Sequence, residues 1–250
     1  MTVNHSFQTV FAVPLSCESC VKDVSGALYK LGGVSKVEAN LEDQLISVHG
    51  SAAPSSIVKA IQDTGRDAIL RGSGGSNSAA VSILETFVDK RQTKDEGTDR
   101  EVRGLARMVE VGSGHTLVDL TVRGVSPGTY RATIREYGDL KDGAESAGPV
   151  WQGGSSSDAP RGNLGTVVVG QDGRGSAFVG HPFHIWETIG HAMVLTKQED
   201  GVGELKNDED TVVGVIARSA GVWDNDKTVC SCTGKTLWEE RKDEVAKGML

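Results

Sequence analysis

Apolar and polar positions along the 250-residue chain fall into three regimes, and the first ends near Arg71. "SFQTVFAV" (Ser6 to Val13) is apolar enough for a strand, and Pro14 stops it. Val21, Val24, Leu28 and Leu31 recur at intervals of three and four, which predicts an amphipathic helix over Cys17–Leu31. "GGVSKVEANL" (Gly32–Leu41) and "QLISVHG" (Gln44–Gly50) read as two strands joined by a turn at Glu42 and Asp43. A second helix covers Ala53–Gly65, opened by Pro54 or Ser55 and closed by Gly65, and "RDAILRG" supplies a last strand. The order βαββαβ predicts a ferredoxin-like α+β sandwich, two helices on an antiparallel sheet.

In the second regime the runs shorten. "RGSGGSNS" (Arg71–Ser78) reads as a flexible Gly/Ser linker. From Ala79 to Val222 come "AAVSILETF", "VRGLARMVEV", "TLVDLTVRGV", "GTYRATIREYG", "GTVVVGQDGRGSAFVG", "HAMVLTKQ" and "TVVGVIARSAGV", separated by turn signals such as "GSGH" and "SPGT". Asp172-Gly173 between apolar runs is a hairpin signal. Short strands with Gly-rich turns predict an all-β unit, a sandwich or a Greek-key barrel. The third regime, from Trp223, is polar and charged, and buries too little apolar surface to hold itself rigid. Only "LWEERKDEVAKGM" within it suits a short helix. The expected organisation is a first domain 1–72, a linker 73–78, a β domain 79–222 and a flexible tail 223–250.

Composition narrows the function classes. Hydrophobic residues at 38% and charged residues at 24% describe an ordinary soluble chain, and 32 glycines with 5% aromatics favour a β-rich body. A net charge of −8 argues against a nucleic-acid surface. No apolar run approaches the roughly 18 residues of a membrane span. "MTVNHSFQTVFAV" lacks a basic segment followed by a long apolar one, so no secretory signal is expected. The expected location is the cytoplasm, where paired thiols serve metals or redox chemistry more often than structural disulfides.

The four cysteines stand in two pairs at opposite ends, Cys17 with Cys20 and Cys230 with Cys232. Cys17-x-x-Cys20 falls where a loop enters a helix, whose N-terminus favours thiolate over thiol. Two soft sulfurs suit a low-coordinate soft ion, Cu(I) above all, whereas zinc wants four ligands. A redox dithiol and incidental buried thiols are the other readings of the pair. Glu18 and Ser19 between the cysteines are unlike the Gly-Pro of thioredoxin-type motifs. "TGKT" (Thr233–Thr236) is no phosphate loop, because Val229 stands where the motif needs glycine. "HPFH" (His181–His184) reads as a surface turn, "GQDGRG" as a turn and "KNDEDT" as a solvated loop. His5, His49 and His115 stand alone.

"FAVPLSCESCVKDV" within a βαββαβ unit resembles the heavy-metal-associated domain of copper chaperones, whose motif is Met-x-Cys-x-x-Cys. Leu15 takes the place of the Met, which in that family packs beneath the loop; the volumes are close, so the loop is expected to persist. "REYGDLKDGAESAGPV", "RGNLGTV", "IGHAMVLTKQEDGVG" and "VVGVIARSAGVW" resemble Cu,Zn superoxide dismutase. On that resemblance the copper histidines fall at Thr133, Arg135 and Thr196, and the bridging histidine at Val150. A zinc histidine falls at Pro160, the zinc aspartate at Asn163, and the disulfide cysteines at Ala144 and Val213. No metal position is kept, so metal-dependent dismutation is excluded and no catalytic residue is expected.

Together with "VCSCTGKTLWEERKD" the chain resembles the copper chaperones for superoxide dismutase over nearly its whole length. The fungal type fits, since the zinc site of animal members is missing. The resemblance implies Cu(I) as cargo at Cys17, Cys20, Cys230 and Cys232, and a heterodimer with immature superoxide dismutase. It implies docking through Ile189, Gly190, Val215 and Arg218 with Trp186 and His191 beside them, and promotion of the target's disulfide by the tail thiols. A homodimer can use the same face, where Arg218, unusual at an apolar contact, would weaken homodimers or bind an anion. A minor pool in the mitochondrial intermembrane space is also implied. A thiol-disulfide oxidoreductase and a copper-storage protein are the rival readings.

Overall fold

The computed structural model describes residues 5–88, 100–112, 114–154, 160–199, 205–222 and 234–246. The first unit runs β1 (Phe7–Ala12), α1 (Glu18–Lys30), β2 (Val34–Asn40), β3 (Leu45–Gly50), α2 (Pro54–Gln62) and β4 (Ile69–Ser73), the βαββαβ order read from the sequence. Its antiparallel sheet has the order β2-β3-β1-β4. Both helices lie against this sheet over a core of Phe11, Val13, Leu15, Val24, Leu28, Ile46, Val48, Ile57 and Ile61. The helical spacing on α1 is realised: Val24 and Leu28 are buried, with Val21 and Leu31 at the edge of the same cluster.

The second unit contains β5 (Ala79–Phe87), β6 (Arg100–Glu110), β7 (Thr116–Arg123), β8 (Gly128–Arg135), β9 (Asn163–Val169), β10 (Arg174–His181), α3 (Ile185–Thr188), β11 (Ala192–Thr196), β12 (Val212–Val215) and β13 (Ala217–Arg218). The strands form one sheet ordered β12-β11-β8-β9-β10-β7-β6-β5-β13, and a further β12–β5 pairing closes it into a barrel. Alternation sends one side of each strand inward. Leu84, Met108, Leu120, Tyr130, Ile134, Leu164 and Met193 fill the interior, sealed at one end by Phe183 and Ile185. Asp172-Gly173 makes the predicted hairpin turn between β9 and β10, with Gly173 at φ 70. The single strand expected over "TVVGVIARSAGV" is two. Ile216 leaves the ladder there: its N–H donates to His191 O and its carbonyl accepts from Gly190 N–H.

The segment expected to be a flexible linker is hydrogen-bonded structure. Arg71–Ser73 complete β4 and are buried, Ser73 N–H donates to Ala220 O, Gly74 N–H to Gln8 O and Val222 N–H to Gly74 O. Gly72 lies so close to Gly221 that a Cβ on it would collide with that carbonyl. Glycine and serine suit a floppy chain and a close backbone approach alike, so composition misleads here. Two further contacts join the units. Phe7 packs with Val109, Val111 and Leu117 of the barrel. The carboxylate of Asp119, on β7, accepts from Ser55 N–H at 2.8 Å and Ser55 Oγ at 2.6 Å at the start of α2, with Arg107 at 3.6 Å. Burial pushes the Asp119 carboxyl up from its ordinary value, and Arg107 and Ser55 oppose that shift.

The tail helix read from "LWEERKDEVAKGM" is present as α4 (Leu237–Ala246). Thr236 and Glu239 form a capping box at its start: Thr236 N–H donates to the Glu239 carboxylate at 2.8 Å, and Glu239 N–H donates to Thr236 Oγ1 at 3.3 Å. Among the described residues no helix is long and apolar enough to cross a membrane.

Candidate functional site

The loop between β1 and α1 carries the first cysteine pair. Val13 and Leu15 point down into the core, 0% and 3% exposed, and so pin the loop from below; Leu15 fills the place expected of it. Cys17 then turns out of the core in extended backbone, φ −163, as the N-cap of α1, and its carbonyl accepts from Val21 N–H at 3.3 Å. Cys20 follows within the first turn. The two sulfurs lie 3.6 Å apart at the surface. With Cys17 exposed and Cys20 half-buried, that placement speaks against the reading of incidental buried thiols.

Electrostatics at the pair favour a thiolate. Ser16 Oγ lies 3.3 Å from Cys20 Sγ. This hydroxyl, then the Arg66 guanidinium, the Ser16 backbone and the Cys17 thiol, pull the Cys20 thiol down from 9.0 to about 6. The interaction is mutual, since Cys20 raises the affinity of Arg66 for its proton. Arg66 reaches this position from the loop between α2 and β4 and is steadied by Asp23 of α1 at 3.3 Å. Two soft donors at this spacing, Cys17 exposed and Cys20 half-buried with its thiol drawn down, suit a two-coordinate soft ion or a reversible disulfide. Cys230 and Cys232 lie outside the described residues.

The dismutase-like positions carry no ligands, and their side chains are occupied with one another. Arg135 Nε donates to Thr133 Oγ1 at 3.0 Å, and both residues are buried. Arg135 also forms an isolated bridge with Val150. Thr196 Oγ1 is 2.8 Å from Thr211 Oγ1, and Asn163 Oδ1 accepts from Gly165 N–H at 3.1 Å. Ala144 and Val213, at the two disulfide positions, are buried in one apolar cluster with Phe87, Ala147, Ala192, Val194 and Leu205. Packing stands where the resembling family has a cross-link. Among the described residues no three His, Cys, Asp or Glu side chains are grouped to hold a metal ion.

Of the expected docking residues, Trp186 projects from α3 at 65% exposure and Val215 is exposed at the end of β12. Ile189 packs partly against the barrel core. Gly190, at φ 86, has open space where a side chain would stand, and a Cβ on Gly138 would collide with its carbonyl and touch Val215 at 3.4 Å. His191 turns inward instead: Nδ1 is 2.9 Å from Arg135 O and the ring packs on Trp151 at 5.6 Å. Arg218 lies on β13 and meets Asn77 at 3.5 Å. Sequence reading passed over two residues of the same face, Tyr137 and Ile83, 56% and 54% exposed. Tyr137 precedes Gly138, and a Cβ on Gly214 would strike Ile83 O. The signal for Ile83 was available: Ala80, Ser82 and Leu84 point inward on β5, so the residue between the last two must point out.

Histidines give two corrections. His5 and His115, which stand alone in the sequence, have ring centroids 5.2 Å apart. His184 has a carboxylate partner that its neighbours in sequence did not offer, Glu110 at 2.7 Å from β6. It caps α3 with Glu187, which Arg161 grips through two oxygens at 2.7 and 3.0 Å.

Comparison with known proteins places both units. Residues 9–67 match the heavy-metal-associated domain and residues 102–220 the copper/zinc superoxide dismutase family. The superoxide dismutase 1 copper chaperone of Saccharomyces cerevisiae is 42% identical with the whole of both chains covered. That of Debaryomyces hansenii is 45% identical over 98% of each. The chain belongs to the copper chaperones for superoxide dismutase. The human copper chaperone for superoxide dismutase is 32% identical, over 94% of this chain and 89% of its own. Identity is higher to these fungal chaperones than to the human one, in line with the fungal type read from the missing zinc site. The family is named for chaperones and not for dismutases, as the empty ligand positions of the barrel require.

Proposed function

We propose that the chain binds Cu(I) at Cys17 and Cys20, docks on immature superoxide dismutase through its barrel, and delivers the ion through Cys230 and Cys232. The observation that carries this reading is the exposed thiol pair 3.6 Å apart with Cys20 drawn down to about 6. A thiolate already formed at neutral pH takes up a soft ion without first losing a proton, and a surface dithiol can hand that ion on by ligand exchange. The docking surface is the face that carries Ile83, Tyr137, Trp186, Ile189, Gly190 and Val215, with Arg218 at its rim. Large apolar side chains exposed together on one face favour a partner with a matching apolar patch. A partner barrel of the same family would meet it as one subunit meets another, in a heterodimer with the target or a homodimer of the chaperone.

In this reading 1–72 collects copper, 73–78 joins it to the docking barrel 79–222, and 223–250 delivers. Dioxygen first oxidises the two tail thiols to a disulfide; a target thiolate attacks it, giving a mixed disulfide and freeing one tail thiol, and the target's second thiol then displaces the other, returning the tail reduced. Two electrons and two protons pass to dioxygen, leaving the target's disulfide. Delivery takes place in the cytoplasm, with a minor pool in the mitochondrial intermembrane space.

The test loads the reduced chain with Cu(I), mixes it with zinc-loaded, copper-free, disulfide-reduced superoxide dismutase, and adds oxygen with a Cu(I) chelator present. Dismutase activity and target disulfide are expected with the intact chain and not with Cys230→Ser/Cys232→Ser. Equal activation by both would move delivery to Cys17 and Cys20. Activation by neither would leave a storage protein, and catalytic yield of oxidised target without copper transfer an oxidoreductase.

A further inference from the structure

We propose that α4 is a releasable anchor, by which the C-terminal segment is tied to the first domain through the ion pair of Arg241 with Asp67. Three contacts define the pair: Arg241 Nε lies 3.2 and 3.1 Å from the two Asp67 oxygens, and Nη2 lies 2.9 Å from Oδ1. The Arg241 side chain is 15% exposed, so the fork is largely withdrawn from water, and it lowers the Asp67 carboxyl against the opposing effect of burial. The residues are 174 positions apart, so this is a tertiary contact and not a local turn.

Three arguments make this pair decisive for α4. A helix of 10 residues is marginal by itself, because isolated helices need roughly 12–15 residues even in favourable sequences. The capping box and the Lys235–Asp243 ion pair are bonds within the segment, whereas Arg241 reaches the first domain. The seat is also unfavourable to an arginine without Asp67. Arg107 on β6 and Arg123 on β7 both feel the positive charge of Arg241, which places it at the seam of the two units among like charges. Removing the Asp67 charge would therefore both delete the attraction and leave the repulsion. An attachment by charge weakens as salt rises.

The position of the anchor gives it a use. Arg66 and Asp67 are consecutive: the first leans toward Cys20 and Asp23, the second holds α4. The C-terminal segment is thus tied to the same short loop that flanks the metal thiols. Seating or releasing α4 therefore sets how firmly the C-terminal segment is held to the first domain. The anchor itself does not depend on the delivery reading, and its test does not measure copper.

Hydrogen exchange of the full-length chain, followed by mass spectrometry, reads the anchor through the amides of α4. Asp67→Asn and Arg241→Gln are each expected to speed that exchange about tenfold, equivalent to about 1.4 kcal/mol of local opening. The double variant is expected to be no faster than either single one. The unaltered chain should follow them when salt is raised to about 0.5 M. Unchanged amides in β1 and β3 would show that the first domain is intact, and Arg241→Gln decides the matter even if Asp67→Asn disturbs it. Equal exchange in all four chains, or additive effects of the two substitutions, would overturn the proposal.

Discussion

Ser16→Ala is expected to move the Cys20 thiol back toward the ordinary range, and the size of the change follows from the geometry of the loop. With Ser16, Arg66 and Cys17 around it, Cys20 titrates at about 6 instead of 9.0. At pH 7 that difference is about nine tenths thiolate against about one hundredth, since each pH unit is a factor of ten. The Ser16 hydroxyl is the largest contributor and Arg66 the next, so Ser16→Ala should cost the larger share of the thiolate and Arg66→Ala a smaller one. Iodoacetamide labelling of the reduced chain over about pH 5 to 10, resolved to the Cys20 peptide, gives the midpoint directly. The midpoint is the quantity to read, because a thiolate of low pKa is also an intrinsically weaker nucleophile and the plateau rate falls with it. A midpoint in the ordinary thiol range for the unaltered chain would refute the reasoning, as would a Ser16→Ala midpoint that has not risen. The sign also fixes a stability trend. A thiol depressed on folding lends the metal-free chain stability that is full above 9.0 and is lost as pH falls through about 6.

Asp119→Ala removes both bonds to Ser55 and leaves Arg107 without its partner in the seam, so it is expected to cost about 3–5 kcal/mol. Urea unfolding followed separately in the two units should show their transitions drawing apart. Gly138→Ala drives a methyl into Gly190 O; a loss of about 1–3 kcal/mol in thermal unfolding is expected, with weaker docking because the strand ends of that face must shift. Trp186→Ala and Tyr137→Ala should each weaken binding to copper-free superoxide dismutase about tenfold by calorimetry with a much smaller effect on the melting temperature of the chain, since both side chains are more than half exposed.

Local pattern carried the first domain almost without loss. The three-and-four spacing of Val24 and Leu28 and the short turns between strands depend only on nearby residues, and the metal loop follows from them. What escaped were the facts made by distant pieces of chain. Arg66 beside Cys20, Asp119 on Ser55 and Arg241 on Asp67 join residues between 46 and 174 positions apart, and no periodicity announces them. Composition failed at Arg71–Ser78 for a related reason. Glycine was needed there so that two backbones could touch, and a glycine bought for closeness looks like one bought for flexibility. The barrel's exposed apolar side chains lay between these cases: its inward residues were readable from alternation, and Ile83 was readable as the remainder.

The barrel's chemistry explains why it can lose every metal ligand and still hold its shape. In a metal-bound barrel, buried histidines are satisfied by the ion; without it they would leave polar atoms unpaired at a cost of about 1–3 kcal/mol each. Here that cost does not arise, because Thr133 and Arg135 bond to each other and Thr196 bonds to Thr211. Ala144 and Val213 supply apolar packing at the positions of the lost disulfide. The positions of the ligands and of the cross-link are thus taken by side chains that pair or pack with one another. The outer face is not complete in the same sense, since Trp186, Tyr137 and Ile83 each keep more than half their surface in water. Burying them stabilises an association by about 25 cal/mol per Å² of apolar surface, less the entropy of holding two bodies together. On the proposed reading, a barrel without ligands at the metal positions and with large apolar side chains left in water serves as a docking module, and soft-metal chemistry falls to the cysteines.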